Sequence, residues 1–150
     1  KNSISNSLIL DLNKWSNVTD AYINDKFMYH CTVPTDSIIK FSETIEETLE
    51  FGLIKAENNA KYVGKEIRKL LENKGYNSIA DDKYKSPTVI VSQCENNMID
   101  YFKEKGIQVT GFVPFMLNEP NNIHTFRIGL FGLDKLSNPE KTIENFKNVL

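Results

Sequence analysis

The chain has 150 residues, 40% of them hydrophobic and 25% charged, with a net charge of −2. That length and balance fit an ordinary soluble globular domain with a real core. A nearly neutral charge gives no electrostatic reason to expect nucleic acid or an anionic membrane as a partner, and no apolar run approaches the length of a membrane span. The two cysteines, Cys31 and Cys94, do not make a disulfide framework, so a reduced, cytoplasmic setting is expected.

Residues 1–34 are the least regular part. Leu8-Ile9-Leu10-Asp11-Leu12 is a short apolar run with Trp15 as a large anchor beside it. The polar stretch Asn17 to Lys26 reads as loop. Phe27 to Pro34 reads as extended, since proline disfavours helix in the residue before it. A helix then starts at an N-cap of Thr35 or Asp36, with Ile38, Phe41, Ile45 and Leu49 on one face and Gly52 as its stop. A longer helix follows, with Ala56, Ala60, Val63, Ile67, Leu70 and Leu71 as its stripe and Gly75 as its C-cap. Lys61, Lys65, Arg68, Lys69 and Lys74 read as its solvated face.

From Tyr76 the rhythm shortens. Tyr76 to Ala80 is a candidate strand, Asp81 to Pro87 a loop, and Thr88 to Ser92 a β-branched strand. Glu95 to Lys105 reads as a helix with Met98, Ile99 and Phe102 inward, stopped by Gly106. Ile107 to Thr110 is another short strand, and Gly111 to Asn122 a loop. In Thr125-Phe126-Arg127-Ile128-Gly129-Leu130, the apolar residues alternate with Thr125, Arg127 and Gly129, the period of a strand with one face in a core. Asn138-Pro139-Glu140 opens a last helix with Ile143, Phe146 and Val149 or Leu150 inward. The sum is a small α+β domain: a mostly antiparallel sheet of three or four strands with helices on one face.

Few residues carry an obvious chemistry. His30 and Cys31 are neighbours on an extended chain and point to opposite faces, so their spacing makes no Cys–His pair. With only His30 and His124 as histidines, no metal-ligand spacing appears. Phosphate-binding glycine loops are absent, and Asp81-Asp82 reads as a solvated turn. Arg127 is the exception. A guanidinium within an apolar run is expensive unless an anion meets it, and that anion is either a structural carboxylate or an incoming acid.

Ser7-Leu8, Leu10-Asp11-Leu12, Tyr29-His30-Cys31-Thr32-Val33-Pro34-Thr35, Ser86-Pro87-Thr88 and Phe126-Arg127-Ile128-Gly129 followed by Gly132 occur in that order. Together they resemble the C-terminal part of a class V aminotransferase, dependent on pyridoxal 5'-phosphate (PLP), and most nearly the 2-aminoethylphosphonate–pyruvate transaminases. The resemblance implies an extended connection from a large domain over residues 1–34 and a C-terminal small domain over 35–150. It implies a homodimer in which Thr32 bonds the PLP phosphate of the neighbouring subunit and Arg127 grips the substrate's carboxylate. The substrates would be a small-molecule amino donor and a 2-oxo acid. The family's cofactor-binding lysine lies upstream, and no lysine here matches its context, so this chain is expected to be inactive alone. Thr110-Gly111-Phe112, Asn59, Lys61 and Asp36 depart from the phosphonate pattern, which leaves open a relative acting on alanine, glyoxylate or serine, or on another aminophosphonate. The rival reading is a free-standing α+β module that binds or senses an anion.

Overall fold

The structure, a computed structural model, describes residues 5–95, 98–111 and 123–150. It divides into two compact units, Lys1–Glu43 and Thr44–Leu150.

In the first unit, helix α1 spans Leu12–Ile23, where the sequence predicts a loop from Asn17 onward. The cause is local. The Asp11 carboxylate accepts from the backbone N–H groups of Asn13 and Lys14, satisfying donors that a helix start otherwise leaves bare. Trp15, Val18 and Tyr22 then follow at helical spacing, and all three line one cavity with the segment that returns through Tyr29 to Thr35. The Trp15 indole N–H donates to the Ile9 carbonyl at 2.6 Å, and His30 Nε2 donates to the Leu8 carbonyl at 2.7 Å. The two rings meet edge to face at 5.1 Å. Among the described residues of this unit none is buried, and Leu8, Leu10, Ile23 and Phe27 are exposed.

Helix α2 spans Thr35–Phe51, one residue earlier than a Thr35 cap would place it, since the Pro34 carbonyl already accepts from Ile38 N–H. Gly52 ends it with φ +97°, a left-handed conformation that suits glycine. Its apolar stripe is present but uncovered: Ile38, Phe41, Ile45 and Leu49 are all exposed.

The second unit holds the core. Helix α3 spans Leu53–Asn73 and buries Ala60, Val63, Gly64, Ile67, Arg68 and Leu71. It closes as expected: Tyr76 N–H reaches back to the Leu71 carbonyl around Gly75. Strands β1 (Val89–Cys94), β2 (Thr110–Gly111) and β3 (His124–Gly129) form an antiparallel sheet in the order β1-β3-β2. Helices α4 (Met98–Glu104), α5 (Leu133–Leu136) and α6 (Pro139–Val149) complete the unit. Phe102 of α4 is fully buried and touches Phe126 of β3 and Phe146 of α6. Asn138 caps α6 through its side chain, with Pro139 at the first helical position. The result is the expected α+β arrangement, a three-stranded antiparallel sheet with helices against one face.

Four local expectations change, the first being that the strand expected over Ile107 to Thr110 is confined to β2, Thr110–Gly111. Tyr76 to Ala80 is not a strand: it pairs with β1 only through an isolated bridge, Ser78 to Ser92, with flanking bonds from Ile79 N–H and Gln93 N–H. Ile99 is left 38% exposed, with its side chain packed over Gly111 of β2. Arg68 is not on the solvated face. It is 8% exposed and its Nη2 donates to the carbonyls of Ser86 and of Val89, the latter at 3.0 Å. The loop from Asp81 to Pro87 holds a short 3-10 turn over Asp82–Tyr84. The expected loop over Gly111 to Asn122 lies outside the described residues, apart from Gly111.

Arg68 and Gly64 together fix where β1 begins. A Cβ on Gly64 would stand 2.1 Å from the Pro87 carbonyl oxygen, so only a glycine lets α3 lie this close to Ser86-Pro87-Thr88. One turn further on, the Arg68 guanidinium satisfies the carbonyls on either side of Pro87-Thr88.

Candidate functional site

Arg127 sits in the middle strand, paired to Val91 of β1 on one side and Thr110 of β2 on the other. Phe126, Ile128 and Leu130 turn toward the helices and are 1%, 5% and 4% exposed. Arg127 therefore emerges on the opposite face and is exposed. The burial cost expected of a guanidinium in an apolar run is not incurred. Among the described residues its guanidinium has no ion-pair or hydrogen-bond partner, so the structural carboxylate considered from the sequence is not found there.

Arg127 opens into a cleft of about 530 Å³ lined also by Gln108, Thr110, Gly129, Phe131 and Lys135. Gly129 keeps the floor low, and the Phe131 ring lies 3.0 Å from where its Cβ would be, forming a wall. A strand held on both edges gives the Arg127 backbone little freedom, which is what a fork that must meet a planar acid requires.

Thr32 lies in the first unit, where its hydroxyl oxygen is 3.1 Å from the Tyr29 hydroxyl. Both residues are exposed and line a cavity of about 410 Å³ with Trp15, Val18, Tyr22 and Thr35. Two adjacent hydroxyls suit a phosphate oxygen as donors, so these residues fit the phosphate end of PLP. Tyr29 is the partner that the sequence reading missed. Its position three residues before Thr32 in an extended segment gives no spacing rule, and only the fold shows the two oxygens together.

Among the described residues the remaining candidates show no catalytic pairing. Cys31 and Cys94 are both free thiols, and burial pushes the Cys94 thiol pKa up. Asp82 is a solvated turn residue that pairs with Lys85 at 2.8 Å, and that hydrogen bond holds its carboxyl below the usual range. Among the described residues no group of three or more His, Cys, Asp or Glu could hold a metal ion, and no helix is long and apolar enough to cross a membrane.

Among solved structures, the chain is similar in fold to alanine–glyoxylate aminotransferase from Nostoc sp., with a TM-score of 0.68 at 18% identity. The match covers 99% of this chain and 39% of that one, so this chain spans well under half the length of its structural neighbour. No family model matches the sequence, and no curated protein matches it.

Proposed function

We propose that this chain is the C-terminal part of a class V, PLP-dependent aminotransferase that moves an amino group from 2-aminoethylphosphonate to pyruvate. The observation that carries the reading is Arg127: an exposed guanidinium at the centre of a rigid sheet face, with no partner among the described residues. The fold likeness to an aminotransferase supports it. PLP, when bound to the complete enzyme, supplies the electron sink for the carbon that loses or gains the amino group. Arg127 would hold the acid group of donor and acceptor in turn by paired N–H···O bonds, orienting the carbon that reacts. Thr32 and Tyr29 would donate to the cofactor phosphate of a partner subunit in a cytoplasmic homodimer. The donor leaves as an aldehyde and pyruvate becomes alanine.

The test is an assay of the full polypeptide that carries this chain, with pyruvate as acceptor. Alanine formation that depends on 2-aminoethylphosphonate is expected. Transfer only from serine, or from alanine to glyoxylate, would keep the class and discard the phosphonate. No transfer from any amino donor would discard the aminotransferase. One observation favours a second reading, a small anion-binding module: Thr44–Leu150 forms a compact unit around a core of its own.

A further inference from the structure

Lys135 lines the same cleft as Arg127, and nothing in the proposed transfer yet uses it. It follows β3 through Gly132, whose φ of +107° marks the turn into α5. Its ammonium lies 2.7 Å from the Asp134 carboxylate, and the side chains are 38% and 71% exposed respectively. The pair folds over Gly132: a Cβ there would meet Asp134 Oδ1 at 2.5 Å and approach Lys135 Nζ at 4.0 Å. Among the described residues the cleft thus has one open cation and one cation held by a neighbour.

We propose that Lys135 is a specificity residue that makes the cleft prefer a doubly charged phosphonate over a singly charged carboxylate, with Asp134 as its resting counter-ion. This rests on the reading of Arg127 as the grip for the substrate's acid group. A carboxylate has two oxygens and one charge, which the guanidinium fork satisfies fully. A phosphonate has a third oxygen and a second charge, and the ammonium of Lys135 is the cation in the same cleft to meet them. Lys135 must leave Asp134 to do so. Because Asp134 is mostly exposed, that ion pair is weak and water takes the place of the lysine at little cost. A carboxylate already matched by Arg127 has no second charge with which to compete. Asp134 therefore sharpens the discrimination instead of blocking the site.

The experiment uses the 150-residue chain, ¹⁵N-labelled, at a mildly alkaline pH where methylphosphonate is doubly charged and at constant ionic strength. Acetate and methylphosphonate are titrated separately and followed at the amides of Thr110, Arg127 and Gly129. The wild type is expected to bind methylphosphonate about five-fold more tightly than acetate, the scale of one further partly exposed charge contact. In Lys135→Met that ratio should fall to about one with acetate affinity unchanged, and in Asp134→Asn it should also fall, because acetate gains the freed ammonium. An unchanged ratio in Lys135→Met, with both anions lost in Arg127→Met, would overturn the role of Lys135 and leave that of Arg127 standing. Undiminished binding in Arg127→Met, or no binding to the wild type, would overturn both.

Discussion

The two arginines that bracket the fold should respond in opposite ways to the same substitution. Arg68→Met keeps an apolar stem on α3 but removes the donors to the carbonyls of Ser86 and Val89. Each hydrogen bond from a charged group contributes about 1.5–3 kcal/mol. Part of that loss is offset, because Arg68 Nε is buried without a partner among the described residues and burial already pulls the guanidinium pKa down. A net cost of about 2–4 kcal/mol remains, mostly the penalty of carbonyls left unpaired where α3 meets β1. At about 4 °C for each kcal/mol, the melting temperature should fall by about 8–16 °C. Arg127→Met removes an exposed side chain with no internal partner among the described residues, so it should change stability by less than about 0.5 kcal/mol, or about 2 °C. Circular dichroism melts of the three proteins give the comparison directly. A fall for Arg127→Met as large as that for Arg68→Met would mean that Arg127 holds the fold together, and its assignment to substrate would be wrong.

Three further outcomes are expected. In the complete enzyme, Thr32→Ala should weaken PLP retention by about 1–2 kcal/mol, and in mixed dimers the defect should appear at the partner's site; unchanged retention, measured by dialysis and absorbance, would leave Thr32 as a local turn residue. The 150-residue chain incubated with PLP and borohydride should carry no defined lysine adduct by peptide mass spectrometry; one stoichiometric site would contradict the expectation that the covalent lysine lies elsewhere. Cys94, buried and with its thiol pKa raised, should resist alkylation at neutral pH while half-buried Cys31 reacts. The folded form keeps the Cys94 proton to higher pH than the unfolded chain, so its ionisation should cost stability only as pH rises past the ordinary thiol range. Equal labelling rates for the two thiols at neutral pH would refute this.

Periodicity made the core legible. The spacing of Ala60, Val63, Ile67 and Leu71 and the alternation of Phe126, Ile128 and Leu130 are direct imprints of one buried face, and the structure buries every one of them. What escaped depends on single contacts that leave no period. Helix α1 hangs on the Asp11 cap, while its Asn and Asp content argues for a loop. Arg68 lies among lysines in sequence, yet its helical position faces the block at Ser86 to Val89, a long-range contact that no local pattern encodes. Arg127 is the converse, an arginine in an apolar run that alternation sends to the open face. Its neighbourhood with Gln108, Thr110 and Lys135 comes from strand order, which the sequence does not announce. Tyr29 and Thr32 likewise meet only once the extended segment is folded.

The steady-state kinetics of the complete enzyme carrying Arg127→Lys and Arg127→Ala test the central claim most directly. The lysine keeps the charge and loses the fork, and the alanine loses both. For Arg127→Ala, kcat/KM toward 2-aminoethylphosphonate and pyruvate should fall by about 3 kcal/mol, at least about a hundred-fold, with Arg127→Lys between it and the wild type. Values for Arg127→Ala within about three-fold of wild type, in a protein that melts normally, would contradict the claim that this guanidinium holds the substrate.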